Sequence, residues 1–185
     1  MNLPNVISLG RLLAVPVAVW LVLSGQLLVA FWVFVAAGVS DAVDGFIAKR
    51  FDAETEFGRY LDPIADKVLL VSVYLALGNE GYLETWLVIM VVFRDALIVG
   101  GALLFQTLTQ SLTMQPLMVS KVNTVTQIVL AAAVLGVNGY AIAGDGVAEG
   151  VVEVLVYAVT VTTLISGGAY VVTWSRRAAA MEKRN

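Results

Sequence analysis

The sequence predicts an all-α integral membrane protein with six transmembrane helices in a single domain, residues 1–185. Hydrophobic residues make up 59% of the chain and charged residues 14%, whereas soluble domains contain about 45–50% apolar and about 25% charged residues. A chain of 185 residues has room for about six spans of ~20 residues each. The absence of cysteine and histidine excludes a disulfide framework, a thiolate metal site and any phosphohistidine mechanism.

Six apolar runs predict the helices in order. The first follows MNLPN and ends at Ser24–Gly25, and the second starts near Gln26 and continues through FWVFVAAGVSDAVDGFIA. The third begins near Glu56 and ends before Gly78–Asn79, because glycine favours a helix end. Three further apolar runs predict the remaining helices. The six predicted helices cover about residues 6–23, 26–50, 56–77, 83–104, 118–135 and 150–174.

The distribution of basic residues predicts the orientation in the membrane. The connections GNEGYLE and NGYAIAGDGVAEG contain carboxylates and no lysine or arginine. By the positive-inside rule, both termini therefore face the cytoplasm. The N-terminus lacks a basic region with a cleavage site, so we expect a mature, multi-pass protein of the bacterial inner membrane. The basic residues at or near the cytoplasmic face are Arg11, Lys49, Arg50, Arg59, Lys67, Lys121, Arg176, Arg177, Lys183 and Arg184.

Four aspartates lie in or beside apolar segments at the end of the second helix and the start of the third. Asp41 and Asp44 are three residues apart, and Asp62 and Asp66 are four apart, so each pair projects from one face of its helix. A carboxylate in a membrane is costly and is usually kept for function. Clustered carboxylates need cations between them, and their hard oxygens suit Mg²⁺ or Mn²⁺. The pattern predicts a divalent-metal site at the cytoplasmic edge.

Small residues accompany these aspartates. Gly45 follows Asp44, Ala48 lies one turn further on, and Gly58 lies one turn before Asp62. Glycine lowers helix stability, so its presence indicates that something bulky approaches closely. Close helix packing is the alternative, since small residues are common at helix contacts in membranes. Because these small residues lie on the same helix faces as four aspartates, they indicate space for a nucleotide phosphate or base.

The segment resembles the signature of the CDP-alcohol phosphatidyltransferase family, D-x2-D-G-x2-A-R-x8-G-x3-D-x3-D. The positions Asp41, Asp44, Gly45, Ala48, Gly58, Asp62 and Asp66 match it, and Lys49 stands where the pattern usually has arginine. Lysine keeps the positive charge but loses bidentate geometry. The family's fold of six membrane helices agrees with the helix pattern, so the resemblance covers nearly the whole chain.

The resemblance implies a specific chemistry. A CDP-linked lipid would bind with its pyrophosphate on two Mg²⁺ or Mn²⁺ ions, and an acceptor hydroxyl would displace CMP. By position, Asp41, Asp44 and Asp62 would be metal ligands, and Asp66 would be the general base and could also contact a metal. The residues expected to contact the CDP-lipid are Asn5, Ser8, Gly45, Ala48, Lys49 and Gly58. Asn5, Ser8 and Arg11 belong to NVISLGR, which resembles an N-terminal segment of phosphatidylglycerophosphate and cardiolipin synthases. An ordinary interfacial helix start is the alternative for these three.

Residues outside the signature bear on the acceptor. The segments FRDALIVG and SKVNTVTQIVL resemble the eukaryotic-type cardiolipin synthases, whereas phosphatidylglycerophosphate synthases more often carry Gly-Lys-x-Lys-Thr in the second segment. Asn123 replaces that second lysine. Fewer cations suit the single charge of phosphatidylglycerol better than the dianion glycerol 3-phosphate. Arg94, Lys121 and Arg11 are the expected contacts of the acceptor phosphate, with pairing to Asp95 as the alternative for Arg94.

The sequence therefore predicts a cardiolipin synthase of the CDP-alcohol type, which joins CDP-diacylglycerol and phosphatidylglycerol with release of CMP. The alternative is phosphatidylglycerophosphate synthase. A phospholipase-D-type cardiolipin synthase is excluded because that mechanism needs a histidine nucleophile, and the chain has none. A cation or proton transporter usually has broken helices with charges near the membrane midplane, whereas these aspartates lie at one face. The resemblance also implies a homodimer, and we expect no nucleic-acid partner.

Overall fold

The computed structural model describes residues 3–51, 56–109 and 118–182, and the side chains of residues 9–40, 67–101 and 118–176. These residues form helices joined by turns and contain no strand, which confirms the all-α prediction for the described part of the chain. The helices are α1 (Leu3–Leu23), α2 (Leu27–Phe51), α3 (Glu56–Asn79), α4 (Thr85–Thr109), α5 (Met118–Gly139) and α6 (Gly146–Glu182).

The largest difference from the sequence prediction lies in α6. This helix begins before Gly150, the predicted start, and continues beyond Trp174 to Glu182. At its start, the Val147 backbone N–H donates to Asp145 Oδ1 at 3.1 Å, and such an N-cap satisfies a free amide of the first turn. At its end, the helix runs on through RRAAAME, where alanine has the highest helix propensity. The prediction followed hydrophobicity and therefore missed both polar ends.

The helices pack as a closed ring in the order α1, α2, α5, α6, α4, α3, and α3 also contacts α5 across the ring. The interior holds side chains with 0% exposure, among them Val22, Leu77, Leu87, Leu135 and Val159. The backbones of α2 and α5 approach closely at Gly139, where an added Cβ would lie 2.7 Å from the backbone nitrogen of Leu28. Only glycine allows the two backbones to approach this closely.

Three connections lie together at one end of the ring. Residues 80–84 and 140–145 border a cavity of about 400 Å³ that is lined by Tyr82, Asn138, Ala143 and Glu153, among others. The connection between α1 and α2 lies at the same end, because Gly139 contacts the start of α2. Within these three described connections, residues 24–26, 80–84 and 140–145, the charged side chains are all carboxylates. This agrees with the predicted charge asymmetry, and the orientation in a membrane stays a prediction.

The outer surface of the ring is strongly apolar. Large side chains such as Leu13, Trp20, Ile89, Phe93 and Val154 are each at least 60% exposed, as expected where lipid rather than water surrounds a protein. Within the described residues, two helical segments are long and apolar enough to cross a membrane, Met118–Gly139 and Gly146–Arg176. The prediction of six spans is thus supported for two helices, and for the other four it stays a prediction.

Candidate active site

The four signature aspartates are carried by two successive helices. Asp41 and Asp44 belong to α2, and Asp62 and Asp66 belong to α3, so the helical spacing assumed from the sequence is present in the backbone. The side chains of all four lie outside the described residues, as do those of Asn5, Ser8, Gly45, Ala48, Lys49 and Gly58. Among the side chains that are described, no group of three or more His, Cys, Asp or Glu residues could hold a metal ion.

The metal site therefore stays a prediction that rests on these aspartates. Their donor set consists of carboxylates alone, carried on described helical backbone, and hard carboxylate oxygens fit Mg²⁺ or Mn²⁺.

A cavity of about 430 Å³ lies between α1, α2, α3 and α5. Its walls are mainly apolar, and two cationic side chains, Arg11 and Lys67, also border it. Lys67 directly follows Asp66 in α3, and the cavity wall on α2 reaches Val39, two residues before Asp41. An apolar cavity with cations next to the signature suits an anionic amphiphile. The apolar lining is formed by Phe34, Val35, Ala37, Gly38, Val39, Leu69, Leu70, Ile128 and Ala132.

A buried ionic network lies where α3, α4, α5 and α6 meet. Asp95 is 4% exposed and binds two cations, with Oδ2 at 2.7 Å from Lys67 Nζ and Oδ1 at 2.7 Å from Arg94 Nη1. Arg94 Nη2 also donates to Ser120 Oγ at 2.8 Å and to Ser166 Oγ. The alternative considered for Arg94, pairing with Asp95, is therefore present.

The predicted acceptor cations differ in their exposure. Arg94 is 3% exposed and Arg11 is 4% exposed, whereas Lys121 is exposed at the start of α5. Arg94 Nε has no hydrogen-bond partner among the described residues, while its terminal nitrogens are occupied by Asp95, Ser120 and Ser166. The role of all three residues at the acceptor phosphate stays a prediction.

Asn123 faces α6 rather than open space. Its side chain is 0% exposed, and Oδ1 accepts hydrogen bonds from Thr162 Oγ1 at 2.8 Å and Thr163 Oγ1 at 2.9 Å. Thr126, one turn further along α5, also lies 3.1 Å from Thr162, oxygen to oxygen. The residue that replaces the second lysine is thus part of the α5–α6 contact.

Several polar residues near the predicted site were not identified from the sequence. Lys67 was assigned only to membrane orientation, although its position directly after Asp66 was a usable signal. Ser166, Thr162 and Thr163 gave no signal, because hydroxyl residues within an apolar helix often bond their own backbone. Only the packing of α6 against α4 and α5 brings them to Arg94 and Asn123.

Proteins of one known family resemble this chain over most of its length. Residues 1–175 match the CDP-alcohol phosphatidyltransferase family. The chain is 35% identical to a protein of Oryza sativa subsp. japonica named CDP-diacylglycerol--glycerol-3-phosphate 3-phosphatidyltransferase 1, chloroplastic, over 92% of this chain and 56% of that protein. It is 33% identical to cardiolipin synthase (CMP-forming) of Rattus norvegicus over 72% of this chain and 50% of that protein.

The match with a bacterial relative covers a larger share of that relative's length. CDP-diacylglycerol--glycerol-3-phosphate 3-phosphatidyltransferase of Bacillus subtilis is 29% identical over 72% of this chain and 76% of that protein. By contrast, the chain spans about half the length of the rice and rat proteins. The relatives thus include both acceptor types. With the family match over residues 1–175, the resemblance carried by the aspartate signature is confirmed, and the chain belongs to the CDP-alcohol phosphatidyltransferase family.

Proposed function

We propose that residues 1–185 form one catalytic membrane domain that transfers a phosphatidyl group from CDP-diacylglycerol to an alcohol, with release of CMP. The family match and the seven matching signature positions support this activity. The main structural support for this activity is the apolar cavity of about 430 Å³ bordered by Arg11 and Lys67. A cavity of this kind beside the signature can take the acyl and phosphate parts of a lipid substrate.

We propose phosphatidylglycerol as the acceptor, with cardiolipin as the product. The supporting observation is the limited positive charge at the start of α5, within the described part of the chain. Lys121 is exposed, whereas residue 123 is a neutral side chain held by Thr162 and Thr163. The terminal nitrogens of Arg94 are held by Asp95, Ser120 and Ser166. A phosphodiester with one negative charge needs fewer cations than glycerol 3-phosphate does.

In the proposed mechanism, Asp41, Asp44 and Asp62 would hold the divalent cations. These ions, expected to be two Mg²⁺ or Mn²⁺, would neutralise the pyrophosphate when bound. Asp66 accepts the proton of the acceptor hydroxyl. The resulting oxygen attacks the phosphorus that carries diacylglycerol, and the bond from this phosphorus to the CMP oxygen breaks.

The second candidate is phosphatidylglycerophosphate synthase, with glycerol 3-phosphate as acceptor. It is favoured by the rice relative, whose name states that acceptor and which covers 92% of this chain. The signature residues would have the same roles. The two candidates differ only in the groups that hold the acceptor.

Purified protein in mixed micelles tests the proposal. CDP-diacylglycerol would be supplied with phosphatidylglycerol or with glycerol 3-phosphate, and CMP release and the lipid product would be measured. We expect CMP release and cardiolipin with phosphatidylglycerol, and little turnover with glycerol 3-phosphate. Lys121→Ala should raise the KM for phosphatidylglycerol more than that for CDP-diacylglycerol. Efficient use of glycerol 3-phosphate without cardiolipin would replace this proposal by the second candidate, and no CMP release with either acceptor would refute the activity.

The assembly and location are also proposals. We propose a multi-pass protein of the bacterial inner membrane with both termini in the cytoplasm, supported by the apolar exterior and the carboxylate-bearing connections. A homodimer would use outward-facing small residues. Added Cβ atoms at Gly100 and Gly168 would meet open space, whereas one at Gly101 would overlap the ring of Trp174. Gly100 and Gly168 are therefore the better candidates for a contact between subunits.

A further inference from the structure

The carboxylate of Asp95 connects helices and also neutralises positive charge. It joins α3 to α4 through Lys67, and it holds the guanidinium of Arg94. That guanidinium in turn reaches α5 through Ser120 and α6 through Ser166. We call these five residues, Lys67, Arg94, Asp95, Ser120 and Ser166, the Asp95 clamp.

The clamp contacts α3 and α5 at positions next to proposed site residues. Lys67 directly follows Asp66, the proposed base, and Ser120 directly precedes Lys121, the exposed cation proposed for the acceptor. Adjacent residues in a helix differ in height by about 1.5 Å. Fixing Lys67 and Ser120 therefore fixes the helical turns that carry Asp66 and Lys121.

A purely stabilising role explains this network poorly. Desolvating buried charges is costly, and apolar residues of similar volume are often equally stable in their place. Apolar contacts have no preferred direction. Each carboxylate oxygen of Asp95, by contrast, accepts a hydrogen bond from one defined donor at 2.7 Å. Reaction rates depend strongly on such registration, since a misplacement of about 1 Å can lower a rate about 100-fold.

We propose that Asp95 is a positioning residue for phosphatidyl transfer, which holds the α3 turn of Asp66 in register with the α5 turn of Lys121. Asp95 itself contacts no substrate. This inference rests on the proposed function, and its structural part can be measured without any enzymatic activity.

The first measurement is a distance. The chain contains no cysteine, so cysteines introduced at Val68 and Val122, which are 38% and 53% exposed, carry spin labels next to Lys67 and Lys121. Pulsed electron paramagnetic resonance then gives the distribution of α3–α5 distances. Asp95→Asn should widen or shift this distribution, because an amide keeps the shape but offers one of the two cations an N–H donor. Glu153→Gln, at the opposite end of the ring and exposed, is the matched control and should leave it unchanged.

The second measurement is a comparison of kcat with KM in the unlabelled protein. Asp95→Asn should lower kcat about 10- to 100-fold, while the KM for CDP-diacylglycerol changes by less than about threefold, since no substrate contact is lost. Asp95→Glu should recover most of the rate because it restores the carboxylate. If Asp95→Asn does not fold, Ser120→Ala removes one hydrogen bond between α4 and α5. It should widen the same distribution, with a rate loss of about threefold.

An unchanged distance distribution in these variants would overturn the clamp. A widened distribution with the wild-type rate would overturn its role in transfer. A rate loss that Asp95→Glu does not reverse, or that lies in KM alone, would also contradict a positioning role. If the wild-type chain released no CMP with any acceptor, the proposed function would fail, while the distance measurement would still decide separately whether Asp95 sets the α3–α5 register.

Discussion

The contact between α2 and α5 gives a prediction whose size follows from the structure. Gly139→Ala adds a Cβ that would lie 2.7 Å from the nitrogen and 2.8 Å from the Cα of Leu28. Both atoms belong to the backbone of α2, so no side chain can rotate away. The two helices must therefore separate by several tenths of an ångström, which loosens the packing around this crossing.

A control variant isolates the steric cost. Gly150→Ala lies in α6, and its added Cβ would meet nothing within 4 Å. Replacing glycine by alanine in a helix stabilises by up to about 1 kcal/mol, and both variants share this gain to some degree. Overpacking costs about 1–3 kcal/mol. For a chain of this length, each kcal/mol shifts the melting temperature by about 2–4 °C, so Gly139→Ala should melt roughly 2–12 °C below Gly150→Ala.

The assay is thermal unfolding of detergent-solubilised protein, followed by far-ultraviolet circular dichroism. Wild type, Gly139→Ala and Gly150→Ala would be compared in the same detergent and at the same protein concentration. Equal melting temperatures for the two variants, or a higher one for Gly139→Ala, would show that α2 and α5 do not approach this closely and would refute the backbone contact at Leu28.

Two further predictions concern the aspartates. Asp44→Asn should abolish CMP release while the protein still folds, because the amide keeps the shape but lacks the charge that holds a cation. A chelator should inactivate the wild type, Mg²⁺ or Mn²⁺ should restore it, and full activity of Asp44→Asn would disprove the metal assignment. Asp66→Asn should also lose nearly all transfer, yet it should bind CDP-diacylglycerol much better than Asp44→Asn does in a direct binding assay. Equal loss of binding in both variants would identify Asp66 as a fourth ligand rather than a base.

The fold was predictable because hydrophobic runs and glycine breaks mark helices directly. The predicted end of α1 at residue 23 agrees with the structure, and the predicted start of α2 near Gln26 lies one residue from the observed start at Leu27. The polar ends of α6 could not be found in this way, because the apolar run in this part of the sequence is shorter than the helix. Helix neighbours were equally invisible, since the contact of α5 with α2 depends on a backbone approach at Gly139.

The sequence could predict only those residues of the candidate site that follow a helical spacing within one or two helices. The aspartate spacing is such a pattern. Asp95 gave a weaker signal, because an arginine next to an aspartate can form an ion pair or contact a ligand equally well. Its bond to Lys67 joins residues that are 28 positions apart, and its connection to Ser166 through Arg94 spans a still longer stretch. Such links follow from packing, which single-sequence patterns do not encode.

Under the proposed function, acceptor choice would depend on α5 and α6 together and not on one residue. A lysine at position 123 would enter a fully buried site next to Thr162 and Thr163. Two hydroxyls cannot balance a buried ammonium ion, and an unpaired charge in a protein interior costs several kcal/mol. A second cation at this position would therefore require a changed α6 surface or an anionic ligand within reach. The α6 hydroxyls that hold Asn123 thus favour a neutral side chain at position 123, which suits the proposed phosphodiester acceptor.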